Sequence, residues 1–123
     1  MLPKSHQKEL LSWLDLLQNL EILFCQDKNN SIMVKQKWQK IQDFLQTMIM
    51  TLDSSDLDIT QQSLFLSWQT ETYRYIRLLQ TDFLFYQSAK QLTTKENRYL
   101  IIQQKLKNAI NLTKNYLLAT NNQ

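Results

Sequence analysis

A chain of 123 residues without one glycine, with Pro3 as its only proline, Cys25 as its only cysteine and a net charge of +3, excludes much before any pattern is read. An average chain of this length holds roughly nine glycines, the default residue for primed hairpin turns, bulges and phosphate-cradling loops, so most sheet folds, P-loops and nucleophile elbows fall away together. One cysteine closes no internal disulfide, no apolar run nears the ~18 residues of a membrane span, and 43% apolar content suits one folded domain over 1–123.

The first predicted helix runs from about Pro3 to Gln26, with Pro3 suited to a first helical position. At about 100° per residue His6, Leu10, Trp13, Leu14, Leu17, Leu20 and Phe24 share one face. Asp27-Lys28-Asn29-Asn30-Ser31 breaks it and offers Asn or Ser as the next N-cap. The second helix, about Ser31 to Leu52, carries Val34, Trp38, Ile41, Leu45, Met48 and Leu52 at alternating steps of four and three, a bundle seam.

The third segment, about Asp58 to Leu92, opens with Asp58 as N-cap and Gln61 three residues on. Phe65, Trp68, Thr72, Tyr75, Ile76, Leu79, Phe83 and Tyr86 line its main face. It is either one helix of about 50 Å, against about 33 Å for the second, or it breaks near Gln69-Thr70-Glu71-Thr72. The fourth begins with a capping box, Thr93 at N-cap and Glu96 at N3, and buries Tyr99, Ile102, Leu106, Ala109, Ile110, Thr113 and Leu117. Its tail, Thr120 to Gln123, is expected to fray. Short connections make sequential helices antiparallel, so the expected fold is all-α, an up-down-up-down bundle of four helices with a long third. A three-helix arrangement with one segment docked elsewhere also satisfies the pattern.

Catalytic constellations do not assemble. His6, the only histidine, has Ser5 and Glu9 as ordinary helix neighbours and belongs to the apolar face, which makes it a packing residue. Cys25 beside Phe24 is expected to be a small buried hydrophobe and has no partners for zinc. Asp53, Asp56 and Asp58 cluster where acids favour a helix start, and the Glu-x-x-His motifs of a di-iron bundle are absent. Glu21, between Leu17 and Phe24, is the one carboxylate expected to be partly buried. No enzyme, no metal and no cofactor is therefore expected.

Charge is divided: residues 1–61 hold six Lys/Arg and eight Asp/Glu, a net −2, and residues 62–123 hold eight and three, a net +5. A nucleic-acid-binding bundle using that basic half is the alternative function. It requires convergent charge. On the last helix the Arg98/Lys105 and Lys107/Lys114 pairs point about 180° apart, which disfavours it. Surplus hydrophobes instead suggest a protein partner or a homodimer. Ile59, Leu66, Tyr73 and Leu84 fall near one another, about 100° from Phe65. Either the third segment is a central helix with a wide apolar arc, or Leu66, Tyr73, Arg77 and Leu84 form a candidate contact face. Sixteen Gln and nine Asn make much of the surface hydrogen-bonding but neutral, which suits reversible contacts.

The Met1-Leu2-Pro3-Lys4 opening into a Leu/Gln-rich helix, the glycine-free helical body and the Gln/Asn-heavy composition resemble the PatD family of cyanobacterial heterocyst-frequency control proteins. The resemblance covers the chain in length and style and contains no diagnostic motif, so no functional residue is carried over. It implies a small non-enzymatic cytoplasmic regulator whose partner is the tubulin-like division protein FtsZ and whose effect is on filament assembly. The absence of a secretory h-region after Met1-Leu2-Pro3-Lys4 agrees with a cytoplasmic location and with no membrane attachment. Because FtsZ-like proteins are typically acidic, Arg98 and Lys105 are expected to make the contact salt-sensitive.

Overall fold

The computed structural model describes residues 2–121, and these form four helices with no strand among them: α1 Lys4–Gln26, α2 Ser31–Phe44, α3 Ile59–Ser88 and α4 Leu92–Asn121. A π-helical turn, Leu45–Ile49, extends α2. The expected tail spans Thr120 to Gln123, and its last two residues lie outside the described chain. The up-down-up-down bundle is present. His6 meets Phe65 and Phe24 meets Phe83, so α1 and α3 run parallel; Trp68 meets Thr113 and Asp82 meets Lys105, so α3 and α4 run antiparallel.

Round the bundle the backbones of α2 and α1, α1 and α4, and α4 and α3 lie close. The α2–α3 pair, although consecutive in the chain, meets through long side chains such as Trp38 and Phe83, ring centroids 5.0 Å apart. The result is a shallow furrow between α2 and α3 flanked by Gln39, Gln42, Gln80 and Gln87.

Local signals set most boundaries. Asn30 caps α2, its Oδ1 accepting from the Met33 N–H at 3.3 Å. Asp58 caps α3, its Oδ1 accepting from the Gln61 N–H at 2.8 Å. The helix then continues through Gln69–Thr72 without a break for 30 residues, about 45 Å. It stops at Ser88, earlier than Leu92, where the chain turns extended at Ala89. α4 correspondingly starts at Leu92, with the Lys95 N–H donating to the Gln91 carbonyl at 3.0 Å. Thr93 thus lies inside the first turn and Glu96 just beyond it, and the expected capping box does not form. Pro3 likewise precedes α1 as its N-cap and is not its first helical residue.

The π turn changes the seam of α2. Thr47 and Thr51 bond back to the carbonyls of Asp43 and Thr47, both at 2.7 Å, in competition with the regular ladder. The Met50 N–H reaches the Leu45 carbonyl at 2.8 Å, five residues back. This wider turn rotates the following residues, so Ile49 is buried and Met48, expected in the seam, is exposed. Gln69 of α3 donates its amide to the Ile49 carbonyl at 3.0 Å and secures the end of α2.

The core runs the length of the molecule. Phe24, within 5.6 Å of the rings of Phe83, Tyr86 and Tyr99, fills the end bearing the 27–30 and 89–91 turns. Trp13, Leu17, Ile41, Leu45, Leu79 and Leu106 fill the middle. At the other end His6 is buried against Phe65, and its Nε2 hydrogen-bonds the Asp53 carbonyl at 2.8 Å, tying α1 to the loop before α3. That is the packing role expected of this histidine.

Candidate interaction surface

The outer face of α3 is built by its own periodicity. Thr72, Ile76, Leu79, Phe83 and Tyr86 turn inward and are buried. Residues about 100° round the helix from Phe65 leave that stripe, and Tyr73, Arg77 and Leu84 border the furrow against α2. Leu66 is 49% and Leu84 60% exposed. Arg77 is exposed and Tyr73 half-buried. Arg77 Nη1 donates to the Tyr73 hydroxyl at 3.1 Å, and its guanidinium lies 5.7 Å from the centre of that ring. This pair fixes two side chains in the middle of the face and lowers the entropy cost of ordering them in a contact. Beside them Thr70, Arg74, Leu78 and Thr81 complete a shallow, mainly apolar hollow of about 380 Å³.

Arg98 and Lys105 have different surroundings. Both reach from α4 to Asp82 of α3: Lys105 Nζ donates to Oδ2 at 2.5 Å, and Arg98 Nη1 stands 3.7 Å from Oδ1. Arg98 also covers the exposed Phe85 ring at 4.7 Å. The one Asp82 carboxylate offsets one of their two charges, so the salt-sensitive contact expected of them has less free charge to draw on. The structure does not bring them into one patch with Leu66, Tyr73 and Arg77.

Asp82 is the buried carboxylate that sequence reasoning missed. It is 5% exposed, whereas Glu21, expected in that role, is only half-buried. A signal was present: Asp82 stands one heptad after Tyr75, three residues after Leu79 and four before Tyr86, on the inward stripe of α3. Its two cations retain access to water, which discounts the pair. Asp82→Ala is expected to cost about 1–2 kcal/mol in urea denaturation. A loss below about 0.5 kcal/mol would show that Asp82 does not hold α3 to α4.

Other polar groups serve packing. Trp68 Nε1 donates to Thr113 Oγ1 at 3.2 Å, which in turn donates to the Ala109 carbonyl. Cys25 is exposed, not buried as expected, and its sulfur accepts from the Gln103 amide at 3.0 Å. It lies beside Phe24 in sequence but just past the inward arc. Among the described residues no three His, Cys, Asp or Glu side chains gather as a metal site, and no helix is long and apolar enough to cross a membrane.

No protein-family model, curated protein or solved structure matches this chain.

Proposed function

We propose that this protein is a non-enzymatic adaptor that acts by protein–protein contact through the outer face of α3. One observation carries the reading. Leu66, Leu84 and the braced Tyr73–Arg77 pair stay at the surface along one helix face, while the inward stripe of that helix is fully used by the core. Aromatic and arginine side chains with an apolar surround are the composition of interface hot spots.

The resemblance to heterocyst-frequency control proteins gives the partner to test first, FtsZ, in the cytoplasm, with an effect on filament assembly. Pairing of two copies about a two-fold axis would place two partner faces on one particle and let it bridge filaments.

Co-sedimentation with purified FtsZ tests this. Arg77→Ala and Leu84→Asp are each expected to weaken binding about tenfold or more, with the melting temperature unchanged. Wild-type affinity in both variants would reject the α3 face. A nuclease-sensitive complex in place of FtsZ binding would favour nucleic acid instead.

A further inference from the structure

We infer that the turn end of the bundle holds a binding site for a small multiply charged anion of the phosphate monoester or diphosphate class. A cleft of about 360 Å³ opens there between the 27–30 turn, the start of α2, the end of α3 and the first turn of α4. Lys28, Lys35 and Lys95 line it from three different elements, together with Ser31 and Tyr86. No ion pair engages any of these three ammonium groups among the described residues.

Two of the lysines are held by rings. Lys28 Nζ lies 4.1 Å from the centre of Tyr99 and Lys95 Nζ 5.0 Å from that of Tyr86. A ring face positions an ammonium without cancelling its charge, as a carboxylate would. A shallow extension of the cleft, lined by Leu92 and Glu96, adds one carboxylate against the three cations.

A second, independent observation comes from Tyr86. It is 7% exposed and lines both parts of the cleft. The phenol is pushed up from its ordinary value by burial, so at neutral pH it remains a donor. A phenol at the wall of a cationic cleft offers an anion a further hydrogen bond beside the ammonium groups. The start of α2 also opens on the cleft at Ser31 and adds its positive dipole end.

Lysines act as point charges with three rotatable donors, which suits the tetrahedral oxygens of a phosphoryl group better than a planar carboxylate. The site borders the furrow beside Leu84 through Lys35 and Gln87, but does not depend on the α3 contact face.

The test is calorimetric titration of the full chain with sodium pyrophosphate against sodium chloride of matched ionic strength. Saturable binding is expected, weakened about tenfold by Lys35→Gln and by Lys95→Gln and unchanged by Lys107→Gln on the exposed side of α4. Tyr86→Phe is expected to weaken it several-fold while the circular-dichroism melting curve stays in place. A parallel titration with a phosphoserine peptide separates the sources: tighter peptide binding assigns the anion to a partner's side chain, tighter pyrophosphate binding to a free metabolite. No saturation up to about 10 mM for either probe, or equal weakening by Lys107→Gln, would overturn the site.

Discussion

Replacing Phe24 with alanine is expected to remove about 3–5 kcal/mol of folding stability, the largest effect of any substitution considered for this protein. The side chain is fully buried, and its ring stands 4.9 Å from Tyr99, 5.5 Å from Phe83 and 5.6 Å from Tyr86. It is the point where α1 meets both long helices near the turn end. Three large aromatic rings cannot collapse into the space without moving the helices that carry them, so the cavity term adds to the lost transfer energy. A domain of this size has a total stability of roughly 6–18 kcal/mol, so the change removes a substantial part of it. Chemical denaturation of Phe24→Ala beside Ile22→Ala makes the comparison. Ile22, two residues earlier, is exposed, and its truncation is expected to cost no more than about 0.5 kcal/mol. Similar losses in the two variants would show that the inward face of α1 has been misplaced.

The second large effect is alkaline destabilisation through Tyr116. Its ring stacks on Trp68 at 5.5 Å with 17° between planes, and its hydroxyl is buried without a hydrogen-bond partner among the described residues. Burial pushes the phenol up to about 12, because the phenolate would lose its hydration with nothing in return. The folded chain therefore keeps this proton where the unfolded chain, with an ordinary phenol near 10, has given it up. The stabilisation is complete below about pH 10 and disappears as pH rises to about 12. Two pH units correspond to at most about 2.7 kcal/mol. Tyr86 and Tyr99 shift in the same direction, also chiefly by burial, and add to the slope. Tyr116→Phe is expected to flatten this limb and to be at least as stable as the wild type at pH 7, since it removes an orphaned hydroxyl and keeps the ring. A Tyr116→Phe protein more than about 1 kcal/mol less stable at pH 7 would mean that the hydroxyl has a partner.

The orphaned hydroxyl also shows where reading the sequence falls short. On α4 the inward stripe is expected to step from Thr113 to Leu117. The structure buries Tyr116 and Thr120 and leaves Leu117 half-buried. Steps of three and of four both fit a 3.6-residue period, so periodicity alone does not choose between them. The choice belongs to Trp68, which offers Tyr116 a flat surface from across the bundle. The same limit explains Met48 and Ile49. The seam of α2 is legible from Val34 to Leu45, and then a π turn shifts the phase by one residue. Its threonine back-bonds are local, but the Gln69 amide that secures the turn comes from α3, 20 positions away.

Asp82, Arg98 and Lys105 make a comparable case for the surface. Their spacing shows two basic residues on one side of the last helix, and nothing local tells that a buried carboxylate on the preceding helix receives both. The exposed positions proposed as a contact face on α3 were legible because they are a property of one helix. Leu66, Tyr73, Arg77 and Leu84 are brought into line by the backbone rise and rotation alone. The lysine cleft was not legible, because Lys28, Lys35 and Lys95 sit on three elements and are otherwise unremarkable solvated charges.

By itself the sequence determined what depends on neighbours a few residues apart. It set the all-helical class through the lack of glycine, the cap at Asp58, the inward stripes of α1 and α3, and the direction of successive helices. Only the tertiary structure decided which helices lie close enough to leave a furrow, which carboxylate is buried, and which charges converge at the turn end. The physical reason is range. Hydrogen bonding within a helix is settled by residues four apart, whereas burial and charge convergence are settled by groups that meet only after the helices have packed.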